Sequence, residues 1–200
     1  MNEKSGMMLA LLAAGQSRRF GDQDKLGALL GDRMLGLHAA ATAAETGFVG
    51  KLVIGTRDHV CAAGWRDMGY EVMDNGKAAQ GQATSVRLAT ARAIDAGASS
   101  LCMMLADMPF VTRDHIEKLV AAFDQTGGTR TVASARDGQP MPPAIFPADA
   151  LAELMELKGD TGARKLLANA VLVSGSDRLL ADIDTPDDLA EANQYFRQIR

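Results

Sequence analysis

Residues 7–21 read MMLALLAAGQSRRFG, an apolar run followed by a loop with two glycines and a pair of arginines. An apolar run with a lysine upstream and two alanines near its end is also roughly the pattern of a secretory signal peptide. The arginines follow the run, however, whereas a twin-arginine export signal places them ahead of it. We therefore expect Met7–Ala13 to be the first, central strand of a sheet and Ala14–Gly21 to be a phosphate-binding loop at its end.

Short apolar runs and longer helical patterns alternate along the rest of the chain. The runs in which nearly every residue is apolar are 8–13, 51–55, 70–73 and 101–105. Strands that bury both faces, as in parallel sheets, have this composition. The segments with apolar residues at helical spacing, or rich in alanine, are 33–47, 85–96, 112–123 and 185–199. The alternation predicts an α/β fold, in which Ser85 and Thr185 begin helices as N-caps and Gly47 ends one.

Residues 127–147 interrupt this alternation and contain four of the six prolines. Because proline donates no backbone hydrogen bond, it is confined to the edges and irregularities of sheets. We expect a hairpin-like excursion here, with an edge strand near Ala144–Phe146 that forms one wall of a cleft.

Length and composition predict a single soluble domain over residues 1–200. The apolar runs fall short of the roughly 18–20 residues that a membrane span needs. A protein with a net charge of −4 lacks the basic surplus that binds long nucleic acid, although a single nucleotide stays open as a partner.

The two cysteines, Cys61 and Cys102, are too few to form a disulfide framework, and they lie too far apart in the sequence to form a metal-binding pair. This cysteine usage is typical of a reduced, cytoplasmic protein. The three histidines have no zinc-binding spacing, and we expect them on helix surfaces or in packing.

The loop after the first strand has the composition of a triphosphate site. Gly15 and Gly21 allow backbone N–H groups to approach a ligand, and Arg18, Arg19 and Lys25 gather positive charge in an acidic protein. In parallel α/β sheets this loop commonly binds phosphates.

The loop matches neither of the common phosphate fingerprints. GxxxxGK[ST] fails because Phe20 stands at the second glycine, and GxGxxG fails because Ser17 stands at the middle one. On composition alone, a polar surface loop with three solvated cations explains these residues equally well.

Five segments in order along the chain carry a family resemblance. They are LAAGQSRRFGDQDKL (12–26), Asn75 with GQATSV (81–86), LADMPF (105–110), LKGDTGARKLL (157–167) and DIDTPDDL (182–189). Together they resemble the nucleotidyltransferases of the molybdenum-cofactor and sugar-nucleotide type, and among these the molybdenum-cofactor cytidylyltransferases most closely. The resemblance implies a three-layer α/β/α sandwich around a Rossmann-like, mostly parallel sheet, as in the nucleotide-diphospho-sugar transferases.

The resemblance also assigns site residues. Arg19 and Lys25 take the two basic positions and are catalytic together with Asp107, whereas Arg18 falls on a variable position and is the natural control for Arg19. The nucleotide-binding residues that it implies are Leu12, Ala13, Ala14, Gly15, Arg19, Lys25, Asn75, Gly81 and Ser85. Within this set, residues 12–14 and 81–85 would read the base through backbone groups and the Ser85 hydroxyl.

The acidic residues divide between metal binding and local structure. Asp107 follows the strand 101–105, so its carboxylate is expected at the carboxyl edge of the sheet, where one or two carboxylates and phosphates hold Mg²⁺. Capping the turn before Pro109 is the structural alternative, and the resemblance favours the metal ligand. Asp184 is the second candidate ligand, and Asp182 is its replacement.

Three further acidic residues lie at expected helix starts. Asp187 and Asp188 fall in the first turn of the last helix, where they favour the helix dipole. Asp160 precedes a helix start at 161–167 and is expected to cap it, with a role near the acceptor substrate as the alternative.

The reaction implied is a Mg²⁺-dependent transfer of CMP from CTP to the phosphate of molybdopterin or molybdenum cofactor, with release of pyrophosphate. A recipient molybdoenzyme or its maturation factor would then take the product. Relatives carry Gly-His-Pro in a segment that touches the acceptor, whereas this chain has Met141-Pro142-Pro143. The alternatives are therefore a sugar-1-phosphate nucleotidyltransferase, in particular a uridylyltransferase, and a non-catalytic protein that binds and delivers the nucleotide or molybdopterin.

Overall fold

The computed structural model describes residues 6–15, 19–21, 24–159 and 163–198, with only the backbone at 164 and 165. The strands in these ranges are β1 (Met7–Leu12), β2 (Leu29–Leu30), β3 (Arg33–Met34), β4 (Gly50–Gly55), β5 (Glu71–Asp74), β6 (Ser100–Leu105), β7 (Val132–Arg136), β8 (Gln139–Pro147) and β9 (Val171–Ser174). The helices are α1 (His38–Ala44), α2 (Ala62–Asp67), α3 (Gln82–Asp95), α4 (Arg113–Gln125), α5 (Leu151–Met155) and α6 (Pro186–Gln198). Short 3₁₀ turns occupy Leu35–Leu37, Ala78–Gln80, Ala148–Ala150 and Arg164–Leu167.

Seven strands form one sheet in the order β5-β4-β1-β6-β8-β7-β9, and β2 and β3 form a separate small hairpin. In the large sheet β8 runs antiparallel to both of its neighbours, and the other adjacent strands are parallel. β1 lies inside the sheet between β4 and β6, as its continuous apolar sequence predicts. The carboxyl ends of β4, β1 and β6 therefore lie side by side.

Helices cover both faces of the sheet. Leu9 and Leu11 of β1 face the layer of α1, α2, α4 and α6, and Met8 and Ala10 face the layer of α3 and α5. This alternation places successive side chains of a strand in two separate hydrophobic cores. The predicted three-layer α/β/α sandwich with a mostly parallel sheet is confirmed.

The prediction of an edge strand near 144–146 was wrong. β8 lies between β6 and β7, with Leu101 opposite Phe146 and Val132 opposite Ile145, and β9 forms the edge instead. Pro142 and Pro143 are accommodated because the register of β7 and β8 shifts between Ala133 and Ser134. That irregularity skips residues 142 and 143, so the ladder needs no N–H donor from either proline.

Two helices start where the sequence patterns predict. Thr185, a predicted N-cap, precedes Pro186 at the start of α6, and α4 follows its N-cap Thr112, the first residue of the helical pattern 112–123. The prediction for Ser85 was wrong, because α3 begins at Gln82 and its N-cap is Gly81 at φ 107°, a conformation that favours glycine.

The helix in the alanine-rich segment 33–47 is also shorter than expected. Its first two residues form β3, a 3₁₀ turn follows, and α1 covers His38–Ala44. Asp160 lies outside the described residues. No helix within the described ranges has the length and apolar content needed to cross a bilayer.

Candidate active site

A cleft of about 360 Å³ opens at the carboxyl ends of β1 and β6. The lining residues are Leu12, Ala13, Ala14, Gly15, Arg19, Lys25, Leu26, Ala78, Ala79, Gly81, Gln82, Ser85, Leu105, Asp107 and Asp184. Of the residues predicted to bind nucleotide or metal, only Asn75 is missing from this described lining. The structure therefore brings together side chains that the sequence places in four distant segments.

Lys25 lies between two carboxylates at the centre of this cleft. Its Nζ donates to Asp107 Oδ2 at 2.7 Å and to Asp184 Oδ1 at 3.0 Å, and the lysine is only 6% exposed. Burial by itself lowers the pKa of Lys25, but the charges and hydrogen bonds of Asp107 and Asp184 outweigh it and raise the pKa above its usual value. Lys25 is thus a protonated group at neutral pH, held in a largely buried place.

Arg19 approaches the same acidic pair from the solvent side. Its guanidinium forms an ion pair with Asp184 Oδ2, while most of the arginine side chain remains exposed. Asp184 therefore contacts both basic residues that the sequence singles out. The described site joins two cations and two carboxylates in one polar cluster.

Backbone hydrogen bonds bring Asp107 and Asp184 together. Ile183 N–H donates to Asp107 O at 2.9 Å, and the Ile183 side chain is buried in the core beside that contact. Ala106 N–H donates to Leu12 O at 3.1 Å, which ties the end of β6 to the end of β1. These contacts set the segment that follows β6 against the segment that precedes α6.

The start of α6 fixes the Asp184 backbone. Asp188 Oδ2 accepts from Asp184 N–H at 3.0 Å and from Thr185 N–H at 2.7 Å, and Thr185 Oγ1 accepts from Asp188 N–H at 3.1 Å. This is a reciprocal capping box, with aspartate in the place of the usual glutamate. Burial tends to raise the pKa of Asp188, but the hydrogen bonds from Thr185 and the backbone lower it below its usual value. Asp188 therefore does more than favour the helix dipole.

The acidic side of the cleft has the donor chemistry of a divalent-cation site. Asp107 Oδ1 is buried, and no hydrogen-bond partner for it occurs among the described residues. A buried carboxylate oxygen of this kind is costly unless something binds it. Partial burial and the negative charges of Asp184 and Asp107 also raise the pKa of Asp182. Carboxylate oxygens are the ligands that Mg²⁺ and Mn²⁺ take in proteins, so these residues fit such an ion.

The opposite wall of the cleft is formed by the start of α3. Asn75 Nδ2 donates to Ser85 Oγ at 2.8 Å and to Thr84 Oγ1 at 2.9 Å, and Asn75 Oδ1 accepts from Lys77 N–H at 3.0 Å. The side-chain amide of Asn75 is thus hydrogen-bonded to other protein groups, and Asn75 lies behind the residues that line the cleft. Ser85 lines the cleft with its oxygen already accepting one hydrogen bond.

Sequence reasoning missed five described lining residues: Leu26, Ala78, Ala79, Gln82 and Leu105. Each lies within a few residues of a predicted position, so adjacency in the sequence was the available signal. The predicted control Arg18 and the rest of 16–18 lie outside the described residues.

A chain of hydrogen bonds links two buried polar side chains, His115 and Ser134, to the segment 141–143, which the resemblance places near the acceptor. His115 Nε2 donates to Ser134 Oγ at 2.8 Å, and Ser134 Oγ–H donates to Pro143 O at 2.9 Å, all within the buried interior. Burial and the nearby Lys118 lower the pKa of His115, so the ring is neutral at pH 7. None of residues 141–146 is among the described residues that line the cleft, so the predicted wall near 144–146 is not part of this lining.

Comparison with known proteins places this geometry in a family. The model of the MobA-like NTP transferase domain matches residues 9–177. Purine catabolism protein PucB of Bacillus subtilis (strain 168) is 32% identical over 192 residues, which cover 88% of this chain and 91% of that protein. Phosphoenolpyruvate guanylyltransferase of Sphaerobacter thermophilus is 34% identical over 116 residues, about half of each chain (53% and 52%).

A solved structure with the same fold is Rv0371c of Mycobacterium tuberculosis in complex with manganese. It superposes with a TM-score of 0.72 at 20% identity and covers 95% of this chain and 99% of that one. The family match runs from within β1 to the loop after β9, so it includes Lys25 and Asp107 of the cleft and ends before Asp184. The chain belongs to the family of the MobA-like NTP transferase domain, and it is a nucleotidyltransferase.

Proposed function

We propose that this enzyme transfers CMP from CTP to the phosphate of molybdopterin or molybdenum cofactor, with Mg²⁺ as its metal. The observation that carries the proposal is the position of Lys25, buried between Asp107 and Asp184 in a cleft that Arg19 also lines. Two cations placed beside two carboxylates suit a polyphosphate and the divalent cation that accompanies it.

The transfer needs little covalent help from the protein. An oxygen of the acceptor phosphate attacks the α-phosphorus of CTP, and the bond from that phosphorus to the oxygen bridging to the β-phosphate breaks. Pyrophosphate leaves with the electron pair of the broken bond. The attacking phosphate is already an anion, so no general base is required, and catalysis rests on orientation and on charge neutralisation.

The basic residues neutralise the charge that develops on the phosphates. Lys25 stays protonated in its buried place, where low dielectric strengthens its interaction with an α-phosphate oxygen or with the leaving group. Arg19, on the exposed side, is placed to bind the outer phosphates and to orient them. Asp107 and Asp184 would hold Mg²⁺, which when bound supplies Lewis-acid polarisation of phosphate oxygens.

The base would lie between the end of β1 and the start of α3. Ala13 and Ala14 are small enough for a pyrimidine to lie against the backbone. Because Asn75 already donates to Ser85 Oγ, the hydrogen of the Ser85 hydroxyl is free to donate into the cleft. Cytosine presents two acceptors, O2 and N3, to such a donor, so CTP is compatible with this wall. Gly15 and Gly81 allow close backbone approach on either side.

A different phosphorylated acceptor is the second candidate. The relative from Sphaerobacter thermophilus is named as a phosphoenolpyruvate guanylyltransferase, and residues 141–143 depart from the family's Gly-His-Pro. A sugar 1-phosphate or an enol phosphate would donate the same attacking oxygen. The nucleotide and the acceptor are therefore tested together.

The cellular setting is part of the proposal. The name of PucB assigns that protein to purine catabolism, and we place the product of this enzyme with a molybdoenzyme or its maturation factor. Cys61 and Cys102 are both buried free thiols, which is consistent with one reduced domain over residues 1–200 that works in the cytoplasm.

Release of pyrophosphate with each of the four NTPs tests this function. Each nucleotide is incubated with Mg²⁺ and with no acceptor, molybdopterin, a sugar 1-phosphate or phosphoenolpyruvate. We expect the fastest release with CTP and molybdopterin, and its loss in Arg19→Ala but not in Arg18→Ala. Faster release with another nucleotide or acceptor would replace that substrate in the proposal.

A further inference from the structure

A histidine outside the cleft contacts the turn that carries Lys25. Asp24, the residue before Lys25, accepts from Leu26 N–H at Oδ1 at 3.1 Å, and its Oδ2 lies 3.0 Å from His59 Nε2. The His59 side chain is 13% exposed. One carboxylate thus connects the backbone on the far side of Lys25 to the segment that follows β4.

The orientation of the His59 ring is set on both sides. Cys61 N–H donates to His59 Nδ1 at 3.0 Å. In the neutral ring the nitrogen that accepts carries no hydrogen, so the proton lies on Nε2 and points to Asp24. The ring also stacks on Trp65, with centroids 5.0 Å apart and planes at 25°, and buried Trp65 donates from Nε1 to Gly36 O at 2.8 Å.

The same segment contacts the turn at two further places. Leu26 O accepts from Gly36 N–H at 2.9 Å and from the Cys61 thiol, whose Sγ lies at 3.3 Å. A Cβ added to Gly27 would lie 2.8 Å from Val60 Cγ1 and 2.9 Å from Asp24 Oδ2, so that close approach requires glycine. The backbone of 24–27 is therefore packed directly against residues 59–61.

We propose that His59 is a positioning residue for Lys25 and acts through Asp24. The Nε2–H of His59 holds the Asp24 carboxylate, and that carboxylate closes the turn from which the Lys25 side chain enters the cleft. The flexible Lys25 side chain contacts both Asp107 and Asp184 only if the backbone of Lys25 keeps a fixed position relative to these carboxylates. The effect on turnover rests on the function proposed above for Lys25, whereas the effect on its placement does not.

Two amide variants separate the two hydrogen bonds of His59. In His59→Gln the side-chain nitrogen reaches the place of Nε2 and can still donate to Asp24. In His59→Asn the shorter amide reaches only the place of Nδ1, so the bond from Cys61 is kept and the bond to Asp24 is lost. Asp58→Ala, at the exposed neighbouring residue, is the control for a change in this segment.

Turnover is measured with the nucleotide that supports release of pyrophosphate. We expect His59→Asn to lower kcat by at least about tenfold, with a smaller change in KM, because misplacing a catalytic group mainly slows the chemical step. His59→Gln should recover most of the loss, and Asp58→Ala should match the unchanged enzyme. Equal losses in both amide variants, or a loss that only follows a lowered melting temperature, would overturn the proposal.

Chemical labelling of Lys25 gives a readout that is independent of activity. In the unchanged protein Lys25 is 6% exposed and ion-paired, so acetic anhydride should acetylate it slowly, as followed by mass spectrometry. We expect His59→Asn to speed that acetylation several-fold and His59→Gln to leave it slow. Unchanged labelling in His59→Asn would refute the positioning role. Faster labelling combined with full activity of Lys25→Ala would instead uphold the positioning role and refute the proposed function of Lys25.

Discussion

Lys25 Nζ lies 2.7 Å from Asp107 Oδ2, although 82 residues separate the two in the chain. The lysine comes from the turn after the first loop, and the aspartate comes from the residues that follow β6. The contact forms because β1 and β6 are adjacent and parallel, so that their carboxyl ends meet. The pair is largely buried, and this gives both charges more influence on a bound phosphate than they would have in water.

Lys25→Ala should lower kcat/KM for release of pyrophosphate by about 10²–10³-fold, as the loss of a preorganised charge does in other active sites. The fold should be retained, because the side chain lines a polar cleft and is not part of the apolar core. Steady-state kinetics with circular dichroism on the same sample measures both effects. Lys118→Ala removes an exposed lysine from α4 and is the control. Retention of more than about half of the activity would rule out the charge-neutralising role.

Asp107→Asn should weaken the binding of Mg²⁺ and lower the rate. Asparagine keeps the shape of the side chain but removes the negative charge that attracts a divalent cation. We expect the Mg²⁺ concentration for half-maximal activity to rise by about tenfold or more, equivalent to about 1.4 kcal/mol. Titration with Mn²⁺ followed by electron paramagnetic resonance measures binding without turnover. Lost metal dependence with normal turnover would contradict metal ligation.

Asp184→Asn and Asp182→Asn, measured in the same titration, identify the second ligand. Asp184 contacts both Lys25 and Arg19 and lines the cleft, so its variant should weaken Mn²⁺ binding more than the Asp182 variant does. The reverse order would assign the second ligand to Asp182.

Two buried serines should respond differently to replacement by alanine. Ser134→Ala leaves His115 Nε2–H and Pro143 O without a partner and should lower the free energy of unfolding by about 1–3 kcal/mol. Ser100 Oγ is equally buried, but the described part of the chain offers it no hydrogen-bond partner. Ser100→Ala should therefore be neutral or stabilising, since it removes an unpaired hydroxyl. Urea denaturation of both variants measures the difference, and equal destabilisation would contradict this account.

The capping box at the start of α6 should make stability depend on pH in the acid range. The pKa of Asp188 is lower in the folded protein than in the unfolded chain, so its contribution is fully present above the unfolded value of about 3.9. That contribution is lost as the pH falls through the folded value. Asp188→Asn should destabilise the protein at pH 7, and the difference from the unchanged protein should shrink as the pH falls below about 3.9. Urea denaturation at several pH values measures it, and Asp187→Asn, at the exposed neighbour, should show no such trend.

The strands β1, β4, β5 and β6 and the starts of α4 and α6 could be predicted from the sequence because they depend on local properties. The apolar runs reflect strands that are buried on both faces, and Thr112 and Thr185 form hydrogen bonds within three residues of themselves. Ten of the fifteen described residues that line the cleft were also named from the sequence, but their roles were named through resemblance.

The tertiary structure decided what depends on strand order and on contacts between distant segments. β8 lies inside the sheet although its prolines favour an edge, and a register shift at Ser134 removes two of them, residues 142 and 143, from the ladder. The contact of His59 with Asp24 joins a short polar loop to the turn of Lys25, and no periodic pattern in the sequence indicates it. The opening stretch MMLALLAAG determined a buried strand and a loop by composition alone, since burial acts on each residue. The tertiary structure decided which carboxylates face that loop, through the adjacency of β1 and β6 and the backbone hydrogen bond from Ile183 N–H to Asp107 O.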